Sequence, residues 1–183
     1  MKSADPGLVV FSTKLINAFL FLVSCQEGRS AFACTAWANK KDKRIKLYNI
    51  DCDDNEIYKK RNVVFDNIKD GYFCLLDDDT IFHENMYIKY LECTEHNFRG
   101  MLVGEQLDFK GNRRLPASVP IYCRIDTGNV LSHHSCLPEC EWPKEHIPRV
   151  NQKDFLFWDS VYNYYGRKCA IWNQPISIYN KLK

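Results

Sequence analysis

Three consecutive aspartates follow a short apolar run near the middle of the chain. The run is Tyr72–Leu76, the aspartates are Asp77, Asp78 and Asp79, and the chain becomes apolar again at Ile81. Carboxylates packed this closely repel one another, and each raises the pKa of its neighbours. A positive group must therefore offset the repulsion, unless the aspartates form a solvated turn or a helix cap.

The spacing of the aspartates favours a divalent metal held together with a diphosphate. At the end of a strand, side chains at i and i+2 point the same way, so Asp77 and Asp79 reach one ligand together while Asp78 points elsewhere. Carboxylate oxygens suit Mg²⁺ or Mn²⁺, and Mg²⁺ is commonly held by one or two carboxylates plus substrate phosphates. A helix is predicted to begin near His83, but one aspartate would be enough to cap it.

Length, charge and cysteine content restrict the class of protein. The chain has 183 residues, which predicts a single domain over 1–183, and its net charge of +2 is too small to predict nucleic acid as a partner. No window contains the roughly 18 uncharged apolar residues that a membrane span needs. The nine cysteines are odd in number and irregularly spaced, which indicates free thiols in a reducing compartment, the cytoplasm.

Strands and helices are predicted to alternate in the first half of the chain. This alternation predicts an α/β fold with a central, mainly parallel sheet, in which ligands bind beyond the carboxyl ends of the strands. The three aspartates lie at one such end. The predicted strands are 7–14, 30–37, 45–50, 71–76, 100–109, 122–132, 168–173 and 176–180, the predicted helices are 15–25, 51–68, 83–96 and 151–166, and 110–120 is predicted to be a turn and a loop.

The order of these motifs resembles that of the GT-A glycosyltransferases, nucleotide-sugar transferases with a single Rossmann-like domain. "YKKRNVVFDNIKDGYFCLLDDD" is similar to the family's Arg-Asn helix, Gly-Tyr strand and DxD motif. Downstream, "RIDTGNVLSHHS" resembles the segment that closes over donor and acceptor. The final "KDFLFWDSVYNYYGRKCAIWNQPISIYN" resembles the helix that carries the acidic base and the last strands. The resemblance covers about 8–179 and implies a GT-A three-layer sandwich.

The chain departs from the family pattern in three ways. It is shorter than most members, its first predicted strand reads Phe11-Ser12-Thr13 where relatives often show Pro-Thr-Tyr-Asn, and no acidic residue stands out as a nucleobase ligand. Its richness in Asn, Lys, Tyr and Ile and its compact size also resemble glycosyltransferase domains of large algal viruses. That likeness implies a viral protein that acts in the cytoplasm of a host cell.

The resemblance implies roles for particular residues in the metal-dependent transfer of a sugar from a UDP-sugar to a hydroxyl of a carbohydrate or glycan, with inversion. Mn²⁺ or Mg²⁺ would act as a Lewis acid on the leaving diphosphate, and a carboxylate would act as the general base. The position that matches the base best is Asp154, followed by Asp159 and Asp126. The implied donor-binding residues are Ser12, Thr13, Arg61, Asn62, Asp77 and Asp78, and the implied metal ligands are Asp77 and Asp79, with His133 or His134 to complete the shell.

Other readings of the same residues stay open. Paired aspartates also hold two metals in nucleotidyl or phosphoryl transferases, although the chain has no Gly-rich phosphate loop. A non-catalytic module could bind a nucleotide sugar without turnover. The side chains of His134, Cys136, Cys140 and His146 could offer two imidazoles and two thiolates to zinc, but their spacing matches no common zinc pattern.

Overall fold

The computed structural model describes residues 20–25, 43–50, 57–77, 79–143 and 150–179. Within these ranges it contains eight strands, three α-helices and two short 3₁₀ turns. The strands are β1 (Leu20–Cys25), β2 (Ile45–Ile50), β3 (Tyr72–Leu76), β4 (Thr80–Phe82), β5 (Met101–Asp108), β6 (Arg113–Leu115), β7 (Val130–His133) and β8 (Ala170–Tyr179). The helices are α1 (Ile57–Asn67), α2 (Glu84–Glu95) and α3 (Val150–Tyr164), and the 3₁₀ turns are Thr127–Asn129 and His134–Cys136.

All eight strands belong to one mixed sheet. Its order is β2-β1-β3-β7-β5-β8-β4, with β6 beside β5. The pairs β1–β2, β1–β3 and β5–β8 are parallel, and the other described pairs are antiparallel. The α/β class with a central mixed sheet is therefore confirmed, and the sheet is partly antiparallel. The chain returns from β5 to β7 without an intervening helix, and such a direct return gives an antiparallel pair.

The sheet is covered by helices on both faces. Along β3, Phe73 and Leu75 point to the face that packs on α1 and α3, and Tyr72 and Cys74 point to the face that packs on α2, as strand alternation requires. Because β3 is buried on both faces, its sequence is apolar throughout. The largest buried side chains of the first face are Phe65, Phe157, Trp142 and Trp158, and those of the second are Met86, Tyr90 and Leu131.

The helix predicted at 15–25 is wrong where the structure describes it, because Leu20–Cys25 forms β1. This strand pairs in parallel with β2 on one side and with β3 on the other. The sequence of this strand is a short apolar run, which short-range periodicity cannot distinguish from a buried helix. The strands predicted at 7–14 and 30–37 lie outside the described residues.

The strand predicted at 122–132 is reduced to β7 (Val130–His133), which the 3₁₀ turn Thr127–Asn129 precedes, and the remaining predicted elements are found with small changes. The helices predicted at 51–68, 83–96 and 151–166 correspond to α1, α2 and α3, and none of the described helices is long and apolar enough to cross a membrane. The segment predicted as a loop contains β6. The two predicted terminal strands are one strand, β8, whose register against β5 shifts on both sides of Glu105. Pro175 lies at this irregularity, where a residue without an amide proton is tolerated.

Gly104 of β5 has no room for a side chain. A Cβ atom there would lie 2.7–2.8 Å from three side-chain carbons of Ile176, which is fully buried on β8. We expect Gly104→Ala to lower the free energy of unfolding by about 1–3 kcal/mol, because overpacking a core strains its neighbours. Urea denaturation measures this, and Ile176→Val in the same chain should recover part of the loss. A Gly104→Ala variant as stable as the parent would contradict the packing described here.

Candidate active site

Asp77 is the first residue beyond β3, at the edge where three parallel strands end. Ser24 of β1 is in register with Leu76 of β3 and with Asn49 of β2, so the carboxyl ends of these strands share one edge of the sheet. Ligands of open α/β sheets bind beyond this edge. The amide of Thr80 donates to the carbonyl of Asp77 over 3.1 Å, so the chain turns immediately after the strand.

Asp126 reaches the same edge from the loop between β6 and β7. Its amide donates to Oδ1 of Asn129 over 3.0 Å, which closes the 3₁₀ turn Thr127–Asn129. The turn packs tightly against β4, since a Cβ atom on Gly128 would lie 2.5 Å from Cγ2 of Thr80. Only glycine permits this approach, and the approach holds Asp126 in place.

Helix α3 supplies the third carboxylate. Asp154 lies in its second turn, and one carboxylate oxygen from each of Asp77, Asp126 and Asp154 lies within 4.8 Å of the other two. Four separate parts of the chain meet here: the end of β3, the turn before β7, helix α3 and, through Arg61, helix α1. We call these three aspartates the carboxylate cluster.

Arg61 of α1 neutralises Asp77. Its Nη2 lies 2.9 Å from Oδ1 of Asp77, and its side chain is only 2% exposed. The guanidinium lies over the indole of Trp142, 4.0 Å from the ring centre, which is a cation–π contact. The neighbouring Asn62 fixes the Trp142 backbone, donating to its carbonyl over 3.2 Å and accepting from its amide over 2.8 Å. Asn62 thus anchors the residue beneath Arg61.

Arg114 of β6 forms an ion pair with Asp126, as Arg61 does with Asp77. Its Nη1 donates to Oδ2 of Asp126 and to the side-chain oxygen of Gln106. Its guanidinium lies 3.9 Å from the centre of the Tyr179 ring, on the last residue of β8. The Tyr179 hydroxyl in turn hydrogen-bonds to the carboxylate of Asp79, which raises the pKa of Tyr179. Asp79 therefore joins the site at its edge, through Tyr179.

The hydroxyl of Thr127 links two members of the cluster. It lies 2.8 Å from Oδ2 of Asp77 and 3.1 Å from Oδ1 of Asp126. Its single proton is shared between two carboxylates that would otherwise only repel each other. Asp77 and Asp126 are therefore both committed to hydrogen bonds within the protein.

Asp154 differs from its two neighbours. None of the described residues donates a hydrogen bond to its carboxylate. Desolvation, and then the charge of Asp77, raise its pKa well above the ordinary 3.8, while Arg61 and Arg114 act in the opposite direction. Desolvation also raises the pKa of Asp77, although Arg61 and Thr127 oppose that rise. The Asp77 side chain is 35% exposed, so solvent reaches this carboxylate.

The other carboxylates predicted for the site lie at its edge, away from it or outside the described residues. Asp159 lies five residues after Asp154, on a different face of α3, and accepts a hydrogen bond from Asn163 over 3.1 Å at an exposed position. Helix α2 is capped by His83, whose Nδ1 accepts from the amide of Asn85, so no aspartate of the triplet serves as its cap. Ser12, Thr13 and Asp78 lie outside the described residues.

The structure does not bring the two histidines to the carboxylate cluster. His133 is in register with Tyr72, at the opposite end of β3 from Asp77 and about 17 Å away at the usual rise of a strand. Desolvation, with contributions from His134 and Arg99, lowers the pKa of His133 to about 4. The Nδ1 atom of His134 lies 3.2 Å from the carbonyl of Gly71. Among the described residues, the carboxylate cluster is also the only group of three or more metal-ligating side chains.

Sequence reasoning missed three side chains of the site. These are Arg114, Thr127 and Trp142. Thr127 directly follows Asp126 in "RIDTGN", a segment already selected, so adjacency was the available signal. Arg114 lies in a stretch that was predicted to be a loop, and no local pattern marks it. Trp142 has no local pattern that marks it either, and only the fold places it under Arg61.

The donor set of the cluster fits a hard divalent cation. Three carboxylate oxygens within 4.8 Å of one another offer oxygen ligands, which Mg²⁺ and Mn²⁺ prefer. Among the described residues, Arg61 and Arg114 each pair with one of the three aspartates, and no described cation pairs with Asp154. A single bound phosphate group would share such a cation with the protein, as is common for Mg²⁺.

Comparisons with known proteins find the fold but no sequence relative. No protein-family model and no curated protein matches the sequence. The crystal structure of residues 1–349 of S. aureus TarS is similar, with a TM-score of 0.62 and 11% identity over 88% of this chain and 60% of that one. The same TarS fragment in complex with UDP-GlcNAc gives 0.60 and 10%, over 90% of this chain and 59% of that one. The chain thus spans about three fifths of the length of these structures and shares their fold.

The raised pKa of Asp154 predicts that its charge destabilises the fold at neutral pH. An acid whose folded pKa lies above its unfolded value holds its proton more tightly when folded, so stability falls as pH rises from 3.8 through the folded pKa. We expect Asp154→Asn to raise Tm at pH 7 by about 2–4 °C, the change that ~1 kcal/mol produces in a chain of this size.

Thermal unfolding in EDTA at pH 7 and below pH 3.8 measures this difference. It should shrink at the lower pH, where the parent Asp154 is protonated in both states. Asp159→Asn on the same helix is the matched control and should leave Tm unchanged at both pH values. A lower Tm for Asp154→Asn at pH 7 would contradict the assigned environment.

Proposed function

We propose that this protein is a glycosyltransferase that moves a sugar from a UDP-sugar to an acceptor hydroxyl with inversion. The observation that carries the proposal is the carboxylate cluster at the carboxyl end of β3, in which Arg61 and Arg114 pair with two members and none of the described residues pairs with the third. The order of motifs in the sequence resembles the GT-A family, and one structure of the same fold was determined with UDP-GlcNAc, a nucleotide sugar. The mixed α/β fold is compatible with that family.

The proposed roles divide the three aspartates. Asp77 and Asp126 would hold Mn²⁺ or Mg²⁺, with Asp79 as the further ligand proposed from its spacing. When bound, the cation would supply Lewis-acid stabilisation of the leaving diphosphate. Arg61 pairs with Asp77 and opposes the rise in its pKa that burial causes, and Arg114 pairs with Asp126.

Asp154 would act as the general base. Its carboxylate accepts the proton of the acceptor hydroxyl while that oxygen bonds to the anomeric carbon and the bond from this carbon to the diphosphate oxygen breaks. A direct displacement of this kind inverts the anomeric centre. A raised pKa matches a base to neutral pH better than an ordinary aspartate does. Arg61 and Asn62 bind Asp77 and Trp142 directly, so we propose that they position the site, and Arg61 remains a proposed phosphate ligand.

Donor binding is expected to need a divalent cation. Ligand binding to the native state raises stability by RT ln(1 + [L]/Kd), so UDP-GlcNAc with Mn²⁺ should raise Tm more than either one alone. Thermal unfolding with and without EDTA measures the difference. Equal shifts in EDTA would contradict metal-dependent binding. A panel of other nucleotide sugars would identify a different donor.

Changes to the base and to the metal ligands should have different effects. We expect Asp154→Asn to lower the kcat of UDP release from UDP-GlcNAc by roughly 10²–10⁴, the usual contribution of a general base, and to leave donor Kd little changed. Asp77→Asn should weaken Mn²⁺-dependent donor binding as well. Isothermal titration beside the UDP-release assay separates the two, and comparing Asp126→Asn with Asp79→Asn shows which residue is the second ligand.

Asp159→Asn is the control and should behave as the parent in both assays. If Asp154→Asn loses donor binding as badly as Asp77→Asn, or keeps full turnover, Asp154 is not the base. Donor binding without any turnover by the parent protein would favour a non-catalytic nucleotide-sugar-binding module. Turnover of a nucleoside triphosphate instead of a nucleotide sugar would favour a nucleotidyl or phosphoryl transferase.

A further inference from the structure

Two cysteines lie side by side in the segment that leads from β7 to Trp142. Cys136 ends the 3₁₀ turn His134–Cys136, and Cys140 follows four residues later. The amide of Cys140 donates to the carbonyl of Cys136 over 2.9 Å, which closes one helical turn and places the two side chains on the same side. The thiol of Cys136 donates to the carbonyl of His133 over 3.5 Å.

The surroundings make the two thiols unequal. The neighbouring Cys140, together with burial, raises the pKa of Cys136. The neighbouring Cys136 lowers the pKa of Cys140 to about 7 against the opposing effect of burial, and Ser160 of α3 acts in the same direction as Cys136. Cys140 is therefore the thiol whose anion the protein stabilises, and the anion is the reactive form of cysteine.

A cavity lies against Cys140, whose own surface is only 2% exposed. It lies between α1 and the segment that carries the two cysteines, has a volume of about 160 Å³ and opens to the surface. A water molecule occupies about 30 Å³ of the liquid, so a molecule slightly larger than water fits. The residues that line the cavity are Asn62, Phe65, Asp66, Leu137, Cys140 and Glu141.

We propose that Cys136 and Cys140 form a modification site, a thiol pair that hydrogen peroxide or another small hydroperoxide converts to an intramolecular disulfide. The Cys140 thiolate attacks one peroxide oxygen, the O–O bond breaks, and Cys140 becomes a sulfenic acid while hydroxide leaves. Cys136 then attacks the Cys140 sulfur, an S–S bond forms, and the S–O bond breaks. The departing hydroxide takes the Cys136 proton and leaves as water. In total, two thiols lose two electrons and one peroxide becomes two waters.

The turn permits this bond after a small movement. Residues four apart on one helical turn have Cβ atoms about 5–6 Å apart, and a disulfide needs about 3.5–4.5 Å. The turn must therefore tighten by about 1.5 Å, and it is a single turn rather than the interior of a long helix. It precedes Trp142, on which Arg61 rests, by two residues. The modification site is thus separate from the carboxylate cluster and adjacent to one of its supports.

Peptide mapping of the full chain tests the proposal. The reduced protein is treated with hydrogen peroxide at pH 7.4, free thiols are then alkylated, and the tryptic peptide 125–144 is weighed. We expect this peptide to lose two hydrogens and to resist alkylation at both cysteines. Cys93, whose pKa burial raises to about 11, should react roughly a hundredfold more slowly, because its thiolate fraction is far smaller while its nucleophilicity is only partly higher.

Two variants test the order of the steps. Cys136→Ser should stop at the sulfenic acid of Cys140, which dimedone traps, and Cys140→Ser should leave Cys136 unreacted. Cys93→Ser is the matched control and should still form the disulfide. The proposal is overturned if both cysteines of peptide 125–144 are still alkylated when Cys93 has reacted, or if Cys136 alone yields the sulfenic acid in Cys140→Ser. The peptide map of the parent protein shows whether the disulfide forms, even if a variant does not fold.

Discussion

Repulsion among three carboxylates is the constraint on which the site depends. Two unit negative charges 4.8 Å apart repel by about 3 kcal/mol at an effective dielectric constant of ~20, and Asp77, Asp126 and Asp154 include three such pairs. The described structure offsets this with Arg61, Arg114 and the hydroxyl of Thr127. The offset is incomplete at Asp154, where burial and then the charge of Asp77 raise the pKa and suit the carboxylate to accept a proton.

Each arginine depends in turn on an aromatic ring held by the fold. Arg61 rests on Trp142, which Asn62 fixes by two hydrogen bonds, and Arg114 rests on Tyr179 at the end of β8. A guanidinium held flat against a ring keeps its fork aimed at a carboxylate and loses little side-chain freedom on binding. The packing of α1 on the sheet and the position of β8 therefore both affect how the charges of the carboxylate cluster are balanced.

The two TarS structures share the fold of this chain, although only about one residue in ten is identical. At that identity the fold is what is shared, and a fold by itself does not assign a function. The functional proposal therefore depends on the local chemistry of the cluster, namely which carboxylates are neutralised and which is not. Single substitutions of the aspartates and arginines of this chain test that chemistry directly.

Short-range patterns in the sequence predict the individual strand and helices that carry the site residues. A buried apolar strand that ends in Asp77, a helix that carries Arg61 and a helix that carries Asp154 all follow from short-range pattern, because a buried strand is apolar throughout and a packed helix shows its own spacing. The identification of Leu20–Cys25 as a helix failed for the same reason, since a short apolar run carries too little pattern to distinguish a strand buried on both faces from a buried helix.

The packing of whole elements determines which charges meet. The i, i+2 rule places Asp77 and Asp79 on one ligand, but the chain turns at the Thr80 amide, so strand alternation ends there. Asp79 binds Tyr179 and remains the proposed further metal ligand. Asp126 and Arg114 enter the site through an antiparallel return and a turn that glycine alone permits, and neither leaves a periodic signal in the sequence. Contacts between residues far apart in the chain depend on how whole elements pack, and residue spacing carries no record of that packing.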